Sequence, residues 1–351
     1  MAAYLIIAWI TILWADNPAL AVQKTLSYTF IVTIIPVLFI QCFQDDDEFL
    51  KDIFYLFTSL FLVGLVLKYV LPEFVIMEKN ARFTGLLGNP NGIGIFITLA
   101  FIYFQILLRT GIVKFNRWDL ILFYIGLFAS LYFCKSRTAM MTVIIFYALN
   151  LIYNYSHFIG WLFFFTLAYM YEFILEAIPV VTDFLGFSED LRVENVDKIK
   201  RGSGRDIAWK FAWDNIKDHM FWGHGVSATE ELYIKNYRTL SMLGHEGNAH
   251  NSYLTIWYDT GIVGLLSLLL GIITYFIKVS KELPFVMPSL FAVFFSINYE
   301  SWLSASLNPF TTMFLMIATL LGYIAIDYLP LKVEKDEEAN NSEEKELILS
   351  S

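Results

Sequence analysis

Ten long apolar stretches constrain this chain more than any other feature of its sequence. They cover residues 2–15, 26–43, 49–70, 91–109, 118–134, 138–155, 157–176, 251–277, 284–303 and 308–328. A membrane-spanning helix needs roughly 20 mostly apolar residues, and somewhat fewer can suffice. Backbone polar groups that face lipid must be bonded within their own segment, which favours helices over open strands. The sequence therefore predicts an all-α integral membrane protein with about ten transmembrane helices.

The charged residues are scarce and unevenly placed. Only 16% of the 351 residues are charged, against about 25% in an ordinary soluble protein. Thirty of the 57 charged residues lie in two segments, 177–250 and 331–351. We therefore expect a transmembrane domain over 1–330 with one large polar loop at 177–250, followed by a disordered acidic tail at 331–351. The net charge of −9 argues against a nucleic-acid partner.

Lysine and arginine in the short loops predict the orientation in the membrane. The side that carries both termini has nine of these residues, and the short loops of the other side have six. Basic residues favour the cytoplasmic side, whereas long loops cross regardless of charge. The sequence thus predicts a multi-pass protein of the cytoplasmic membrane, surrounded by its lipids, with cytoplasmic termini and an extracytoplasmic loop.

On this topology, several polar groups gather on the outer face. Arg82 precedes one span, Arg137 lies in a very short turn between two spans, and His250-Asn251 stands where the chain re-enters the membrane. An arginine can bind two phosphate oxygens at once, which a lysine cannot match. For Arg82 or Arg137 taken alone, the alternative is a membrane-edge anchor that reaches lipid headgroups.

An amphipathic helix is predicted inside the polar loop. Ser203 and Asp206 fit a capping box, and an apolar stripe follows at Trp209, Trp213, Ile216 and Met220, before Gly223 and Gly225 end the helix. Arg205 then lies in the first turn, where backbone N–H groups also favour an anion. The alternative is a packed surface helix with a solvated arginine.

Two further carboxylates lie within predicted spans, and no metal site is expected. Asp259 and Glu300 are candidates to orient a cation such as Arg137 or Arg205, because ionisable groups inside a membrane are usually functional. The histidines of the loop occur in pairs five residues apart, a spacing that places neither pair on one helical face. We therefore predict neither a metal nor a cofactor.

The motifs together resemble the bacterial O-antigen ligase and O-antigen polymerase family of polyprenol-dependent glycosyltransferases. The matching elements are Asn17-Pro18, the G-x-x-x-N-P-N segment from Gly85 to Asn91, Ser136-Arg137, Gly204-Arg205 with Trp209, Gly223-His224-Gly225, His250-Asn251-Ser252-Tyr253-Leu254, Gly261 and Gly264. Their order, and the large loop before His250, make the combination fairly specific. Ligases of the family usually have more spans, so this chain is expected to be a short member or to lack its start.

The resemblance implies a GT-C-like bundle and a metal-independent transferase at the outer face of the membrane. Such an enzyme moves a glycan from undecaprenyl diphosphate to a sugar hydroxyl of a lipid-linked or lipid A–core acceptor. By position, Arg137 and Arg205 would bind the diphosphate and His250 would act as general base or assist at the phosphate. The remaining predicted substrate-binding residues are Arg82, Asn251, Tyr253 and Glu300.

Two other classes of function remain open from sequence. A transporter or flippase for an anionic lipid or solute would also have many spans and buried charges, but it often shows paired halves, and no internal repeat is found. A non-catalytic membrane scaffold with an external binding loop is the third reading. Within the enzyme class, the sequence does not separate ligase from polymerase, although the short chain slightly favours a polymerase.

Overall fold

A computed structural model describes residues 1–46, 48–77, 81–184, 205–245, 247–304 and 308–328. Over these ranges the α-helices are α1 (Ala2–Thr11), α2 (Pro18–Asp45), α3 (Phe49–Val70), α4 (Pro90–Thr110), α5 (Arg117–Cys134), α6 (Arg137–Tyr155), α7 (His157–Phe184), α8 (Arg205–Ile216), α9 (Ala228–Lys235), α10 (Tyr237–Met242), α11 (Ser252–Val279), α12 (Val286–Tyr299) and α13 (Pro309–Tyr323). Two short strands, β1 (Ile76–Met77) and β2 (Arg82–Phe83), pair antiparallel. The predicted tail at 331–351 and the predicted cap at Ser203 lie outside the described residues.

Each of the ten predicted apolar stretches coincides with a helix, namely α1–α7 and α11–α13. Among the residues whose side chains are described, seven helices are long and apolar enough to cross a membrane, and the apolar helical segments within this part of the chain at Ala2–Trp14, His157–Met170 and Val286–Tyr299 are shorter. The prediction of an all-α membrane protein is confirmed. Two boundaries differ by eight residues, because α2 already begins at Pro18 instead of residue 26 and α7 continues to Phe184 instead of ending at residue 176. The residues that follow 176 are largely apolar, and the helix continues through Pro179, a residue type that usually kinks or ends a helix.

The outer surface of the helices is apolar, as a membrane requires. Large side chains such as Phe30, Leu56, Ile125 and Leu151 are more than half exposed. Water-soluble proteins rarely expose apolar patches of this extent. These faces are therefore the ones that contact lipid.

Helix α4 is the centre of the bundle. Sixteen of its 21 residues are buried, and it packs against α5, α6, α12 and α13. Its start is fixed by Asn89, whose side chain accepts hydrogen bonds from the backbone N–H groups of Asn91 and Gly92, and by Pro90 in the first helical position. The well-defined start of α4 holds the Arg82–Asn91 segment at one end of the bundle.

The described part of the polar loop packs against α11 at a point where the helical backbone is interrupted. Gly261 has φ 69° and ψ 177°, a backbone conformation that is essentially restricted to glycine. Around the break, the Gly225 N–H donates to the Asp259 carbonyl at 2.8 Å and the Ile262 N–H donates to the Met220 carbonyl at 2.9 Å. A Cβ at Gly261 would collide with the Phe221 carbonyl. Residues 220–225 are therefore fastened to the helix through backbone hydrogen bonds.

The amphipathic helix of the loop is present, but it is shorter than predicted and its buried face is different. Helix α8 ends at Ile216, ahead of Gly223, and a short 3-10 turn follows it. Its buried residues are Ala208, Ala212 and Ile216, whereas Trp213 is 39% exposed. The alanines allow close approach, since the Ala208 carbonyl accepts a hydrogen bond from the buried Tyr233 hydroxyl at 2.7 Å. The predicted stripe is confirmed at Ile216, and Trp209 is half-buried against the core, whereas Trp213 is exposed and the fully buried positions ahead of Ile216 are Ala208 and Ala212.

Candidate functional site

The Glu300 carboxylate joins two of the predicted catalytic side chains. One oxygen lies 2.6 Å from a terminal guanidinium nitrogen of Arg205, and the other lies 3.4 Å from Nδ1 of His250. Glu300 is 8% exposed, while the side chains of Arg205 and His250 keep 21% and 29% of their surface open. We refer to these three residues as the Arg–Glu–His cluster. It presents a guanidinium and an imidazole to solvent above a nearly buried carboxylate.

The chain around His250 is held in an uncommon conformation. His250 has φ 44°, and its N–H donates to the Asn248 side chain at 2.7 Å. The next residue, Asn251, caps α11 by accepting a hydrogen bond from the Leu254 N–H at 3.0 Å. Non-glycine residues with positive φ are uncommon and persist where the surroundings fix them. His250 is thus locked between a turn and a helix start.

The start of α11 is also bonded to the end of α12, which carries Glu300. The Ser252 hydroxyl donates to the Glu300 carbonyl at 2.8 Å, and the Asn251 N–H donates to the Ser301 hydroxyl at 2.9 Å. The Asn251 amide donates to Asn298 at 3.1 Å. These bonds fix the distance between His250 and Glu300 without the help of a ligand.

Helix α8 brings Arg205 to the same place. Arg205 is its first described residue, and its guanidinium lies 5.8 Å from the centre of the Tyr299 ring, which adds a cation–π contact. Trp209, one turn later, donates its indole N–H to the Ala249 carbonyl at 2.9 Å. Arg205 is therefore attached both to the end of α12 and to the segment just before His250.

Arg82 belongs to a second cluster at the start of α4 and α6. Its Nε donates to the Cys134 carbonyl at 2.9 Å, and a terminal nitrogen lies 3.4 Å from the Asn91 side chain. Arg137 opens α6 three residues after Cys134, and its side chain is exposed. Ser136 caps α6 by accepting from the Ala139 N–H. The turn that presents Arg137 is thus attached to Arg82.

Both clusters lie at the same end of the bundle, joined through the start of α13. A Cβ at Gly92 would lie 3.6 Å from the Phe310 ring, which places α13 beside the start of α4. The Thr311 hydroxyl donates to the Trp302 carbonyl at 2.6 Å, just after Glu300. The structure therefore places the arginines and the histidine predicted from sequence along one end of the molecule.

Tyr253 and Asn251, which were predicted to bind substrate, use their polar atoms for hydrogen bonds within the protein. The Tyr253 hydroxyl donates to the Phe294 carbonyl at 3.0 Å. Both polar atoms of the Asn251 side chain are used, one in the helix cap and the other on Asn298. In this structure both residues tie α11 to α12, Tyr253 through Phe294 and Asn251 through Asn298, and their role toward a substrate stays a prediction.

Asp259 pairs with no arginine among the described residues. Its carboxylate accepts from the Ser227 N–H at 3.0 Å, from the Thr229 N–H at 2.8 Å and from the Thr229 hydroxyl at 2.6 Å. It therefore caps α9 from a different helix. Among the residues that the structure describes, Glu300 pairs with an arginine, whereas Asp259 bonds to backbone and hydroxyl groups and has Lys24 as a nearby positive charge.

Sequence reasoning missed the supporting residues Asn248, Asn298 and Ser301. One signal was available for Asn298, because an amide inside an apolar span must find a partner. Among the residues that the structure describes, no three His, Cys, Asp or Glu side chains form a group that could hold a metal ion.

Fold and site together define a multi-pass helical membrane protein with cationic and imidazole side chains at one end of its bundle. Residues 121–269 match the family model described as O-Antigen ligase. The family prediction is confirmed, and the chain carries a domain of the O-antigen ligase family, which supports glycosyltransferase-type activity. The matched segment contains Arg137, Arg205 and His250, whereas Arg82 and Glu300 lie outside it.

Comparison with curated proteins gives a short match. The chain is 36% identical over 76 residues to an uncharacterized protein of Haemophilus influenzae. The match covers 20% of this chain and 19% of that relative, so the chain spans about a fifth of the relative's length. No solved structure matches the chain.

Proposed function

We propose that this protein moves a glycan from undecaprenyl diphosphate to a sugar hydroxyl of a lipid-linked or lipid A–core acceptor, at the outer face of the cytoplasmic membrane. The observation that carries the proposal is Glu300, which contacts Arg205 with one oxygen and His250 with the other. Such an arrangement provides an anion-binding group and an oriented base a few ångströms apart. Glycosyl transfer from a diphosphate needs both groups.

Arg205 is suited to the leaving group. As the bond between the anomeric carbon and the diphosphate oxygen breaks, the electron pair stays on that oxygen and negative charge grows there. A fixed guanidinium in a partly dehydrated site stabilises this charge strongly. Glu300 occupies one terminal nitrogen of Arg205, which leaves the remaining N–H donors for phosphate oxygens.

His250 is suited to the acceptor. Glu300 faces Nδ1, so Nδ1 carries the hydrogen and Nε2 is left to accept the proton of the acceptor hydroxyl. The acceptor oxygen then bonds to the anomeric carbon, and undecaprenyl diphosphate departs. The separation of 3.4 Å is long for a hydrogen bond, and catalytic hydrogen bonds of this kind commonly tighten when substrate binds.

Arg82 and Arg137 complete the proposal as the donor-binding end of the site. Arg137 is exposed at the start of α6 beside the turn that Arg82 holds. In the proposed topology ten helices cross the membrane in a GT-C-like bundle, both termini are cytoplasmic, and residues 177–250 are extracytoplasmic. The lipid tail of the donor would then lie between helices below the arginines.

Transfer is tested with protein in lipid vesicles and with the lipid-linked glycans that accumulate in the source strain after deletion of this gene. His250→Gln is expected to lower kcat by about 10²- to 10⁴-fold, the usual contribution of a positioned base. Arg205→Lys keeps the charge but loses the forked donor geometry, and is also expected to lose most activity. Arg238→Lys is the matched control, because Arg238 is exposed on α10 in the same loop.

The outcomes separate clearly. Full transfer by both His250→Gln and Arg205→Lys would overturn the assigned roles. Absence of glycan transfer by the wild-type protein, with donor and acceptor present, would overturn the function itself. Movement of the intact lipid-linked glycan across the vesicle without bond formation would indicate a flippase instead.

Orientation has its own test. Met242 is 81% exposed on α10, and Cys42 is exposed near the far end of α2. Met242→Cys, in a protein that lacks Cys42, should react with a membrane-impermeant maleimide in intact spheroplasts. The native Cys42 should react only after lysis. The reverse pattern would invert the topology.

A further inference from the structure

Arg109 lies in a corner between three helices, at the end of the bundle opposite to the Arg–Glu–His cluster. It is in the last turn of α4, about 30 Å along that helix from the Arg82–Asn91 segment. Phe146 and Asn150 of α6 form one wall of the corner, and Phe285, just before α12, forms another. No step of the proposed glycan transfer uses this end of the molecule.

The guanidinium of Arg109 is fixed against the protein. Its Nε donates to the side-chain oxygen of Gln105 at 3.3 Å, and one terminal nitrogen donates to the side-chain oxygen of Asn150 at 2.8 Å. Its central carbon lies 5.2 Å from the centre of the Phe146 ring and 5.4 Å from that of Phe285. An arginine that snorkels extends away from the protein toward the membrane surface, whereas this one is held by four side chains.

Arg109 keeps hydrogen-bond donors for a ligand. A guanidinium has five N–H donors, and the second terminal nitrogen of Arg109 bonds to no residue in the described ranges. No carboxylate within those ranges forms an ion pair with it either. The residue is exposed, so an outside group can reach these donors. A fixed arginine with unused donors suits a phosphate, whose oxygens accept charge-assisted hydrogen bonds.

The surroundings of Arg109 carry an excess of positive charge. The connections 109–117 and 278–283 contain five basic residues and one carboxylate, Glu282, and the second connection leads into the α12 wall of the corner. Asp119, in the first turn of α5, is buried and is engaged in the capping box of that helix. The local charge therefore favours a ligand with a net negative charge over a zwitterionic one.

The apolar side chains beside the corner point to a lipid as the source of the phosphate. Leu108 and Leu151, the sequence neighbours of Arg109 and Asn150, are 41% and 74% exposed, and Tyr147 on α6 is 41% exposed. Apolar faces of this kind contact acyl chains in a membrane. Arg109 thus lies where an apolar surface meets a basic one, as a headgroup phosphate does in a lipid.

We propose that the corner between α4, α6 and α12 binds the phosphate of an anionic phospholipid, with Arg109 as its main ligand. Basic pockets between membrane helices are suited to such headgroups. In the proposed topology the lipid belongs to the cytoplasmic leaflet. The site is separate from the Arg–Glu–His cluster, and its existence does not depend on glycan transfer.

Lipid binding is measured with the purified protein in detergent micelles, by native mass spectrometry. Phosphatidylglycerol is titrated beside phosphatidylcholine with the same acyl chains, and the wild type should bind phosphatidylglycerol more tightly. Arg109→Gln removes the charge, and the affinity for phosphatidylglycerol should fall by about 10- to 150-fold, the usual contribution of a hydrogen bond to a charged group. The affinity for phosphatidylcholine should change less.

Asn150→Asp tests the same site without removing the arginine. It places a carboxylate where the Asn150 oxygen now lies, 2.8 Å from the guanidinium, and so supplies a counter-charge from within the protein. This variant should lose the preference for phosphatidylglycerol as Arg109→Gln does. Arg117→Gln is the matched control, because Arg117 is also exposed at this end but lies over the Trp118 ring, outside the corner. It should keep the wild-type affinity.

The outcomes decide both the site and its occupant. Equal binding of the two lipids by the wild type, or an equal loss in Arg109→Gln and Arg117→Gln, would overturn the site. Unchanged binding by an Asn150→Asp protein with a normal Tm would overturn it too, even if Arg109→Gln does not fold. If inorganic phosphate at the same concentration displaces phosphatidylglycerol from the wild type, the occupant is a soluble anion and the assignment to a lipid is wrong.

Discussion

Nδ1 of His250 lies 3.4 Å from a carboxylate oxygen of Glu300, although 50 residues separate the two in the chain. The same two segments are bonded a second time, since the Ser252 hydroxyl donates to the Glu300 carbonyl at 2.8 Å. The imidazole is therefore held by a carboxylate that is itself fixed by the fold. In enzymes with a Ser-His-Asp triad, a buried carboxylate orients the histidine in a comparable manner.

Glu300→Gln should remove this orientation while preserving the shape of the side chain. The amide can present a donor to Nδ1, which would favour the tautomer that cannot act as a base through Nε2, and it weakens the contact with Arg205. We expect kcat to fall by about 10²- to 10⁴-fold, with a smaller change in the KM for acceptor. Initial rates of glycan transfer measure both parameters.

The control for that substitution is Glu282→Gln, at an exposed glutamate between α11 and α12, which should keep the wild-type rate. A Glu300→Gln protein that is as active as Glu282→Gln would show that the carboxylate does not orient His250. A lower Tm of Glu300→Gln would show that the substitution destabilises the fold. Glu300 would then have a structural role instead of positioning His250.

Asp259 supports a prediction about stability instead of catalysis. Asp259→Asn replaces one acceptor oxygen by an NH₂ group, which then faces either the Ser227 N–H or the Thr229 N–H. One buried hydrogen bond is lost and two donors meet, so we expect a destabilisation of about 1–3 kcal/mol. Thermal unfolding in detergent, with Asp214→Asn at an exposed site as comparison, measures the difference. If both variants have the same Tm, the interpretation that Asp259 stabilises the start of α9 is wrong.

The helices could be predicted from the sequence because a membrane constrains length and composition so strongly. A stretch such as 91–109 has few alternatives to a helix in lipid, and α4 is found there. The boundary of α7 was misplaced because the helix runs through Pro179, a residue type that usually ends or kinks a helix, and reaches Phe184. Part of the buried face of α8 was misplaced because tryptophans dominate a hydrophobic pattern, whereas the residues buried ahead of Ile216 are Ala208 and Ala212.

The sequence predicted the residues of the site and left their pairing open. Asp259 and Glu300 were both candidates to orient Arg137 or Arg205, and the structure pairs Glu300 with Arg205 across 95 residues, a contact that leaves no local pattern. Asp259 shows the converse. Its depth in the membrane suggested a partner for an arginine, and the structure gives it the backbone of Ser227 and Thr229. Sequence indicates which groups need partners, and tertiary contacts decide which partners they find.

Gly261→Ala should disturb the packing of residues 220–225 against α11. Alanine would be placed in a conformation that is nearly exclusive to glycine, and its Cβ would collide with the Phe221 carbonyl. We expect a loss of more than about 2 kcal/mol of stability and faster proteolysis around residues 220–225. Gly111→Ala is a useful comparison, because Gly111 also has positive φ (64°) but open space around it. If both variants unfold alike, the collision at Phe221 is not the cause.

Because the pKa of His224 is lowered in the folded protein, we expect the stability of the protein to depend on pH. Burial lowers its pKa from the usual value, and the nearby His219 acts in the same direction, while the Asn215 carbonyl, Asp218 and Asp16 oppose them. The unfolded chain therefore binds a proton at a higher pH than the folded one, so this contribution to stability is full above the ordinary histidine pKa and is lost as the pH falls below it.

The His224→Phe variant keeps a ring in the stack on Tyr258, whose ring centre lies 4.2 Å away, and removes the titration. Between pH 7.5 and pH 5 the Tm of the wild type should fall further than that of His224→Phe. The extra fall should be no more than about 2 °C, because the imidazole is only half-buried and solvent screens its interactions. The slope of Tm against pH is the quantity to compare, since the lost hydrogen bond to the Asn215 carbonyl lowers the variant at every pH. Parallel slopes for the two proteins would mean that His224 titrates normally in the fold.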